Sequence, residues 1–454
     1  MTNTTTMLQL PTNSTMRRAD FTFGVATASF QIEGGAEHRL PCIWDTFCDT
    51  PNTIADGSNG LIACDHFNRW EEDVELIASM NVDAYRLSIS WPRVMDKQGC
   101  INLDGVRFYT NLLKALKEKG IRTFVTLYHW DLPQHIEEQG GWVNRQTAFL
   151  YANYVEQLVP HFVGLVDSYA TFNEPFCSAF LGYELGIHAP GLTSQKAGRQ
   201  AAHHILLAHG LAMQVLRRLT PQTMNGIVLN FTPCYSNTDS AEDIAATNFA
   251  DEYHNLWYLM PIMTGHYPNV LNQLDESVRP EIMPNDMQLI SGSIDFLGIN
   301  FYTRRFYAKP SDPSKLFDEL AHRPPYTDMG WEIYPESFTK LLLDLHNRFN
   351  LPPIYITENG AAMPDVIMDG EVHDDDRLAY YQSHLIALDK AIEAGVNVQG
   401  YFAWSLMDNF EWAEGYVKRF GLVYVDYETQ KRTIKKSGKA YANMLSAKRL
   451  DLQK

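Results

Sequence analysis

A chain of 454 residues with 45% hydrophobic and 12% aromatic content can build one large domain with insertions or two to three smaller ones. A net charge of −17 leaves no basic footprint for a nucleic acid or an anionic membrane, which excludes both as partners. No apolar run reaches the roughly 18 residues of a membrane span. Residues 1–20 are rich in Thr and Asn, contain Arg17-Arg18 and lack the apolar stretch of a secretory signal. They read as a flexible tail over 1–18, ahead of one catalytic domain over 19–450. The six cysteines (Cys42, Cys48, Cys64, Cys100, Cys177, Cys234) are scattered without CxxC spacing, which favours a reduced, cytoplasmic protein.

Eight short β-type runs follow, at 21–26, 84–89, 122–127, 168–172, 226–230, 296–300, 354–357 and 398–403. Amphipathic stretches at 68–80, 105–120, 145–162 and 197–219 separate them, and a helix over 376–394 opens on an acidic triplet, Asp374-Asp375-Asp376, suited to capping. Eightfold strand–helix alternation means parallel strands with right-handed crossovers. An open doubly wound sheet and a closed barrel both satisfy that pattern. The first run is not followed by GxGxxG, and no Pro/Gly/Ser-rich linker divides the chain. The preferred architecture is a single (β/α)8 TIM barrel with elaborated βα loops, chiefly over 31–67, 301–350 and 405–433.

A barrel of this kind places its working groups where strands end and the next loops begin. Every run here delivers polar or aromatic residues to that rim: Gln31-Ile32-Glu33, Arg86, Tyr128-His129-Trp130, Asn173-Glu174-Pro175, Asn230, Asn300-Phe301-Tyr302, Glu358-Asn359-Gly360, and the segment from Trp404 to Trp412. Glu358 is the most telling of them. It closes a run of β-branched and aromatic residues that suits a strand buried on both faces, where a charge is costly without partners.

Glu174 and Glu358 are far apart in sequence, and a closed barrel brings their strands to one mouth. Two carboxyl groups flanking a bond are what glycosidic cleavage requires. A separation of roughly 5–5.5 Å means a covalent glycosyl-enzyme and retention, and roughly 6.5–9.5 Å means inversion; the sequence leaves that choice open. Arg86 and Tyr302 suit holding Glu358 ionised, as nucleophile. Glu174 lies in a less charged setting that suits an acid kept protonated by desolvation. Gln31, His129, Asn173 and Glu411 offer donors and acceptors to sugar hydroxyls, while Trp404 and Trp412 offer flat apolar faces. No cofactor and no metal is expected. His203, His204 and His209 lack HExxH spacing, and neither a GxSxG elbow nor a P-loop occurs.

With those residues named, the sequence resembles the family 1 glycoside hydrolases, and among them the bacterial β-glucosidases. The resemblance runs from Phe21-Thr22-Phe23-Gly24 to Gly421-Leu422-Val423-Tyr424 and rests on Thr171-Phe172-Asn173-Glu174-Pro175 and Ile356-Thr357-Glu358-Asn359-Gly360. It implies a (β/α)8 barrel and a retaining mechanism with Glu174 as acid/base and Glu358 as nucleophile. It also implies glycone contacts from Gln31, His129, Asn173, Glu411 and Trp412, and a platform at Trp404. Asn300 and Tyr302 would support the nucleophile, and Trp331 would touch the aglycone. The expected substrates are small glycosides: cellobiose, short β-glucans and aryl or alkyl β-glucosides, with β-galactosidase or β-fucosidase side activity. A 6-phospho-β-glucosidase is the alternative, disfavoured because Glu411 stands where a phosphate would sit. A non-catalytic sugar-binding barrel is a remote third reading.

Overall fold

The computed structural model describes residues 8–452. Eight strands close into one barrel: β1 (Thr22–Ala26), β2 (Ala84–Ser88), β3 (Arg122–Thr126), β4 (Ser168–Asn173), β5 (Met224–Asn230), β6 (Phe296–Asn300), β7 (Ile354–Asn359) and β8 (Val398–Trp404). They pair in parallel in chain order, and β1 meets β8 through Thr22↔Gly400 to Ala26↔Trp404. These are the eight runs expected from the sequence, with ends moved by at most two residues. One helix of each crossover packs outside: α1 (His66–Ser79), α2 (Leu103–Glu118), α3 (Gln146–Leu158), α4 (Gln195–Leu219), α5 (Ala241–Asp251), α6 (Glu336–Arg348), α7 (Asp375–Glu393) and α8 (Lys436–Asp451). No helix among the described residues is long and apolar enough to cross a membrane.

Three expectations need correction. The stretch 301–350 is not all loop, because α6 occupies its last third. Phe338, Leu341, Leu342 and Leu345 recur at helical spacing and are buried. The tail is not loose over residues 8–18, and residues 1–7 of that expectation lie outside the described residues. Leu8, Leu10 and Met16 are buried, the Gln9 backbone exchanges two hydrogen bonds with the Gln382 amide, and Ser14 Oγ donates to Asp389. Burial of three apolar side chains outweighs the polar composition around them. Asp374 stands at the helix N-terminus as expected, yet it caps nothing in α7. Its carboxylate accepts from Ser437 and from Arg377 instead.

That carboxylate belongs to a buried network that fastens the last two βα loops together. Arg377 pairs with Asp365 (2.7 Å) and with Asp374, Lys435 pairs with Asp365 and with Asp408 (2.6 Å), and Arg419 pairs with Asp408 (2.6 Å). Three cations meet three carboxylates, so charge balances without solvent. Arg377 also donates to the carbonyls of Ala361 and Arg419. The segment after β7 is thereby tied to the segment after β8. Replacing Lys435 by Met leaves Asp365 and Asp408 buried with one cation fewer. Breaking a buried pair in this way costs about 3–5 kcal/mol. We expect the Lys435→Met variant to show a clear fall in Tm and in the urea midpoint, and an unchanged midpoint would refute the role given to the network.

Candidate active site

The ends of β4 and β7 are bent out of regular pairing. The β4–β5 register shifts between Ala170 and Asn173, and β7 shifts against β6 and β8 beyond Ile356. Glu174 takes a positive φ of 46°, as do Trp130 (78°) and Trp412 (53°). Non-glycine residues pay for that conformation, and such strain gathers where side chains must be aimed. The strain at Glu174 is held by its N–H, which donates to Val228 O at 2.9 Å. After Glu358 the chain needs glycine for space, not for a turn. A Cβ on Gly360 would stand 1.8 Å from Trp404 O.

A cavity of about 540 Å³ opens at this end of the barrel. His129, Glu174, Asn300, Tyr302, Trp331, Glu358, Trp404, Glu411 and Trp412 all line it. Arg86, Gln31 and Asn173 are buried beside it, each hydrogen-bonded to a lining side chain: Glu358, Glu411, and Asn300 with His129. Arg86 Nη1 donates to Glu358 Oε1 at 2.6 Å, and Tyr302 OH donates to Glu358 Oε2 at 2.6 Å. Both oxygens of that carboxylate are therefore held by charge-assisted or phenolic donors. Arg86 Nη2 donates to Asn173 Oδ1 at 2.7 Å. Asn300 Nδ2 reaches both Asn173 Oδ1 (3.0 Å) and Glu174 Oε1 (2.6 Å), and its own Oδ1 accepts from Thr357 Oγ1 (2.6 Å). One continuous set of hydrogen bonds joins the two glutamates.

Because Asn173 Oδ1 is engaged by Arg86 and Asn300, its Nδ2 is the donor to His129 Nε2 at 3.1 Å. Burial and the Arg86 charge push the His129 pKa well down, so the ring is neutral. Its proton then lies on Nδ1, which is buried and has no partner within the protein. Gln31 presents a matching acceptor. Its Nε2 is engaged by Asn409 Oδ1 (3.0 Å) and Phe410 O (2.9 Å), while Oε1 is buried and unpartnered. A free donor and a free acceptor at fixed positions suit hydroxyl recognition. The aromatic lining is equally rigid: His129 lies nearly parallel to Trp404 (17°) and to Trp412 (16°), and Trp412 stacks on Phe30 at 8°.

Comparison with known proteins places the chain among its relatives. The family model for glycosyl hydrolase family 1 matches residues 13–450. The chain is 44% identical to a β-glucosidase of Agrobacterium sp., over 94% of this chain and 95% of that one. It is 39% identical to a bifunctional β-D-glucosidase/β-D-fucosidase of Bifidobacterium breve, over 94% and 97%. The crystal structure of the GH1 β-glucosidase from Exiguobacterium antarcticum superposes with a TM-score of 0.93 at 43% identity, covering 95% of this chain and 99% of that one. The chain belongs to glycosyl hydrolase family 1. It is a glycoside hydrolase built on a TIM barrel.

In this family 1 chain the two glutamates sit in different fields. Burial, and then the facing Glu358 charge, push the Glu174 pKa up to about 8, against donors at Asn300 and Cys177 and the Arg86 charge that pull it down. Glu411 is likewise pushed up to about 8, first by burial and then by Glu358 and Glu174. That shift favours the neutral form of Glu411 over the carboxylate. As a neutral acid it both donates and accepts. Lys418 is engaged by Asp328, with Nζ donating to its carbonyl at 2.6 Å and pairing with its carboxylate at 3.4 Å.

Sequence reasoning missed several lining groups. Cys177 Sγ donates to Glu174 Oε2 at 3.1 Å. Its place three residues after Glu174, where a helix begins, was the available signal. Phe176, Leu181, Leu185, Ile187, His254, Arg305, Glu319 and Met329 line the outer cavity, and nothing local in the sequence marks them. His203, His204 and His209 lie on α4 and are hydrogen-bonded to Asp286, the Trp142 carbonyl and Thr171.

Proposed function

We propose that this chain is a retaining, exo-acting β-glucosidase that removes terminal β-D-glucosyl residues by double displacement. The observation that carries the reading is the unequal treatment of two glutamates at one cavity. Glu358 accepts from Arg86 and Tyr302, which favours the anionic, nucleophilic form. Glu174 is buried with a raised pKa, which favours the protonated form needed by a departing glycosidic oxygen.

In the first step Glu358 Oε attacks the anomeric carbon while Glu174 passes its proton to the leaving alcohol. In the second, Glu174, now a carboxylate, takes a proton from water as that water attacks the same carbon and the ester bond to Glu358 breaks. The starting protonation states are regained. Gln31, His129, Asn173 and Glu411 are the proposed hydroxyl partners, Trp404 and Trp412 the apolar faces for the ring, and Asn300, expected as a support of Glu358, is instead a donor to Glu174.

The Bifidobacterium breve relative, a glucosidase and fucosidase, supports tolerance toward β-fucosides as well. A 6-phosphoglucoside fits poorly, because Arg86 is engaged by Glu358 and Asn173, and Lys418 by Asp328. Six unpaired cysteines support a cytoplasmic location. The deciding experiment is a panel of nitrophenyl β-glycosides (gluco, galacto, fuco and 6-phosphogluco) with proton NMR of the first-formed sugar. We expect the glucoside and fucoside to lead in kcat/KM and β-glucose to appear first. A preference for the 6-phosphate, or α-glucose first, overturns the reading.

A further inference from the structure

The proton that Glu174 is proposed to deliver must sit on one of its two oxygens, and the hydrogen bonds around the carboxyl decide which. Arg86 is a donor only, so its Nη2 contact at 2.7 Å makes the bonded atom of Asn173 the oxygen, Oδ1. Asn300 reaches that same oxygen at 3.0 Å, which makes its own facing atom Nδ2. The same Nδ2 donates to Glu174 Oε1 at 2.6 Å. One arginine thus fixes the orientation of both amides, and Oε1 receives an N–H. The carbonyl oxygen of a carboxylic acid accepts better than its hydroxyl oxygen, so the proton of neutral Glu174 belongs on Oε2.

Among the described residues Oε2 has one partner, Cys177 Sγ at 3.1 Å. Cys177 is 7% exposed, and its N–H donates to Glu174 O at 3.0 Å where the helix Cys177–Glu184 begins. Burial, and then the Glu174 charge, push the thiol pKa well up, so the sulfur keeps its proton while Glu174 titrates. A thiol donates weakly and accepts weakly, and no other group at this oxygen does both.

We propose that Cys177 is a positioning residue for the acid/base, its sulfur accepting from Glu174 Oε2–H before cleavage and its S–H donating to the Oε2 carboxylate once that proton has left. The inference rests on the reading of Glu174 as acid/base and adds which oxygen carries the proton and what directs it. Cys177 gains and loses no atom: the thiol keeps its hydrogen and turns about Cβ–Sγ, while the carboxyl proton goes to the leaving oxygen. A weak acceptor aims Oε2–H without holding it against transfer. The bond to the carboxylate is charge-assisted and the stronger of the two, so the thiol favours the ionised form.

The test compares the wild-type protein with Cys177→Ala and Cys177→Ser. The pH dependence of kcat/KM is measured for butyl β-glucoside, whose alcohol needs a proton to leave, and for dinitrophenyl β-glucoside, whose leaving group does not. The groups facing Glu174 are Glu358 on β7, Arg86 on β2, Tyr302 after β6 and Glu411 after β8, and neither variant changes them. Cys177→Ala lacks the bond that favours the carboxylate, so we expect its alkaline limb with butyl glucoside to move up by about 0.5 pH unit. Near neutrality its kcat/KM for butyl glucoside falls about two- to fivefold further than that for dinitrophenyl glucoside. Cys177→Ser keeps a two-way partner and returns the limb to the wild-type position or below it. Both variants lose a sulfur-sized volume, so the difference between them reads the hydrogen bond and not packing, and thermal melting shows that each is folded. An unmoved limb in Cys177→Ala, equal falls with both substrates, or a limb still raised in Cys177→Ser each overturns the inference. If the wild-type enzyme has no alkaline limb with butyl glucoside, or Glu174→Ala keeps the wild-type rate with it, the acid/base reading of Glu174 itself fails. That outcome is distinct from a limb that is present and indifferent to Cys177.

Discussion

Replacing Glu358 with Ala is expected to lower turnover of nitrophenyl β-glucoside by about 10⁵–10⁶-fold, the scale on which removal of a covalent nucleophile acts in a hydrolase. Arg86 and Tyr302 remain, but the group that would attack the anomeric carbon is gone. Sodium azide is small enough to occupy the vacated position. It attacks from the side that Glu358 held, the C–O bond to nitrophenolate breaks as the C–N bond forms, and the product is α-glucosyl azide. Nitrophenolate leaves without needing a proton, so Glu174 is spared in this assay. Glu358→Gln keeps the shape beside Arg86 and should be as inactive, which separates lost chemistry from lost packing. Undiminished rates in either variant, or β-glucosyl azide from Glu358→Ala, would remove Glu358 from the proposed role.

Glu174→Ala should show the complementary pattern. General acid catalysis is worth about 10²–10⁴-fold, and the full loss appears only with leaving groups that need a proton, such as alkyl alcohols or glucose. A dinitrophenyl glucoside should form the glycosyl-enzyme at close to the normal rate and then stall, because the base for the second step is also missing. Azide relieves that stall and gives β-glucosyl azide, opposite in configuration to the product expected from Glu358→Ala.

The wild-type pH profile carries the same argument. Glu174 is pushed up to about 8 by burial and by Glu358. An acid with a raised pKa is protonated below that value, so activity should hold through neutrality and fall as pH rises through about 8. The groups facing it are Glu358 on β7, Arg86 on β2, Asn300 on β6, Cys177 on the following helix and Glu411 after β8. Because these carboxyls interact, the alkaline limb reports the set and not one residue. In Glu174→Ala that limb should be missing from a rate measured on a leaving group that needs no proton. Persistence of the same limb would assign it to another group.

Much of the fold was legible along the chain because local pattern and tertiary use coincide in a barrel. A strand buried on both faces reads as a short apolar run, and a polar residue at its end reads as rim. The eight runs became β1 to β8, and the rim residues Glu174, Glu358, His129, Tyr302, Trp404 and Glu411 line one cavity. What local pattern mistook were places where a long-range contact decides. Leu8, Leu10 and Met16 looked like part of a polar tail, yet they are buried in a segment that hydrogen-bonds to Gln382 and Asp389 of α7. Asp374 looked like a cap, and only Ser437 and Arg377 reveal its partners.

The sequence by itself determined the barrel, the two glutamates and their companions at strand ends, since period, burial and strand-end position are local properties. Tertiary structure alone decided how each carboxyl behaves. The charge on Glu174 and Glu411 depends on desolvation and on neighbours that include the Glu358 carboxyl on β7, interactions that act through space and leave no mark on spacing along the chain. It also decided that Arg86, Gln31 and Asn173 are buried and hydrogen-bonded to side chains that line the cavity.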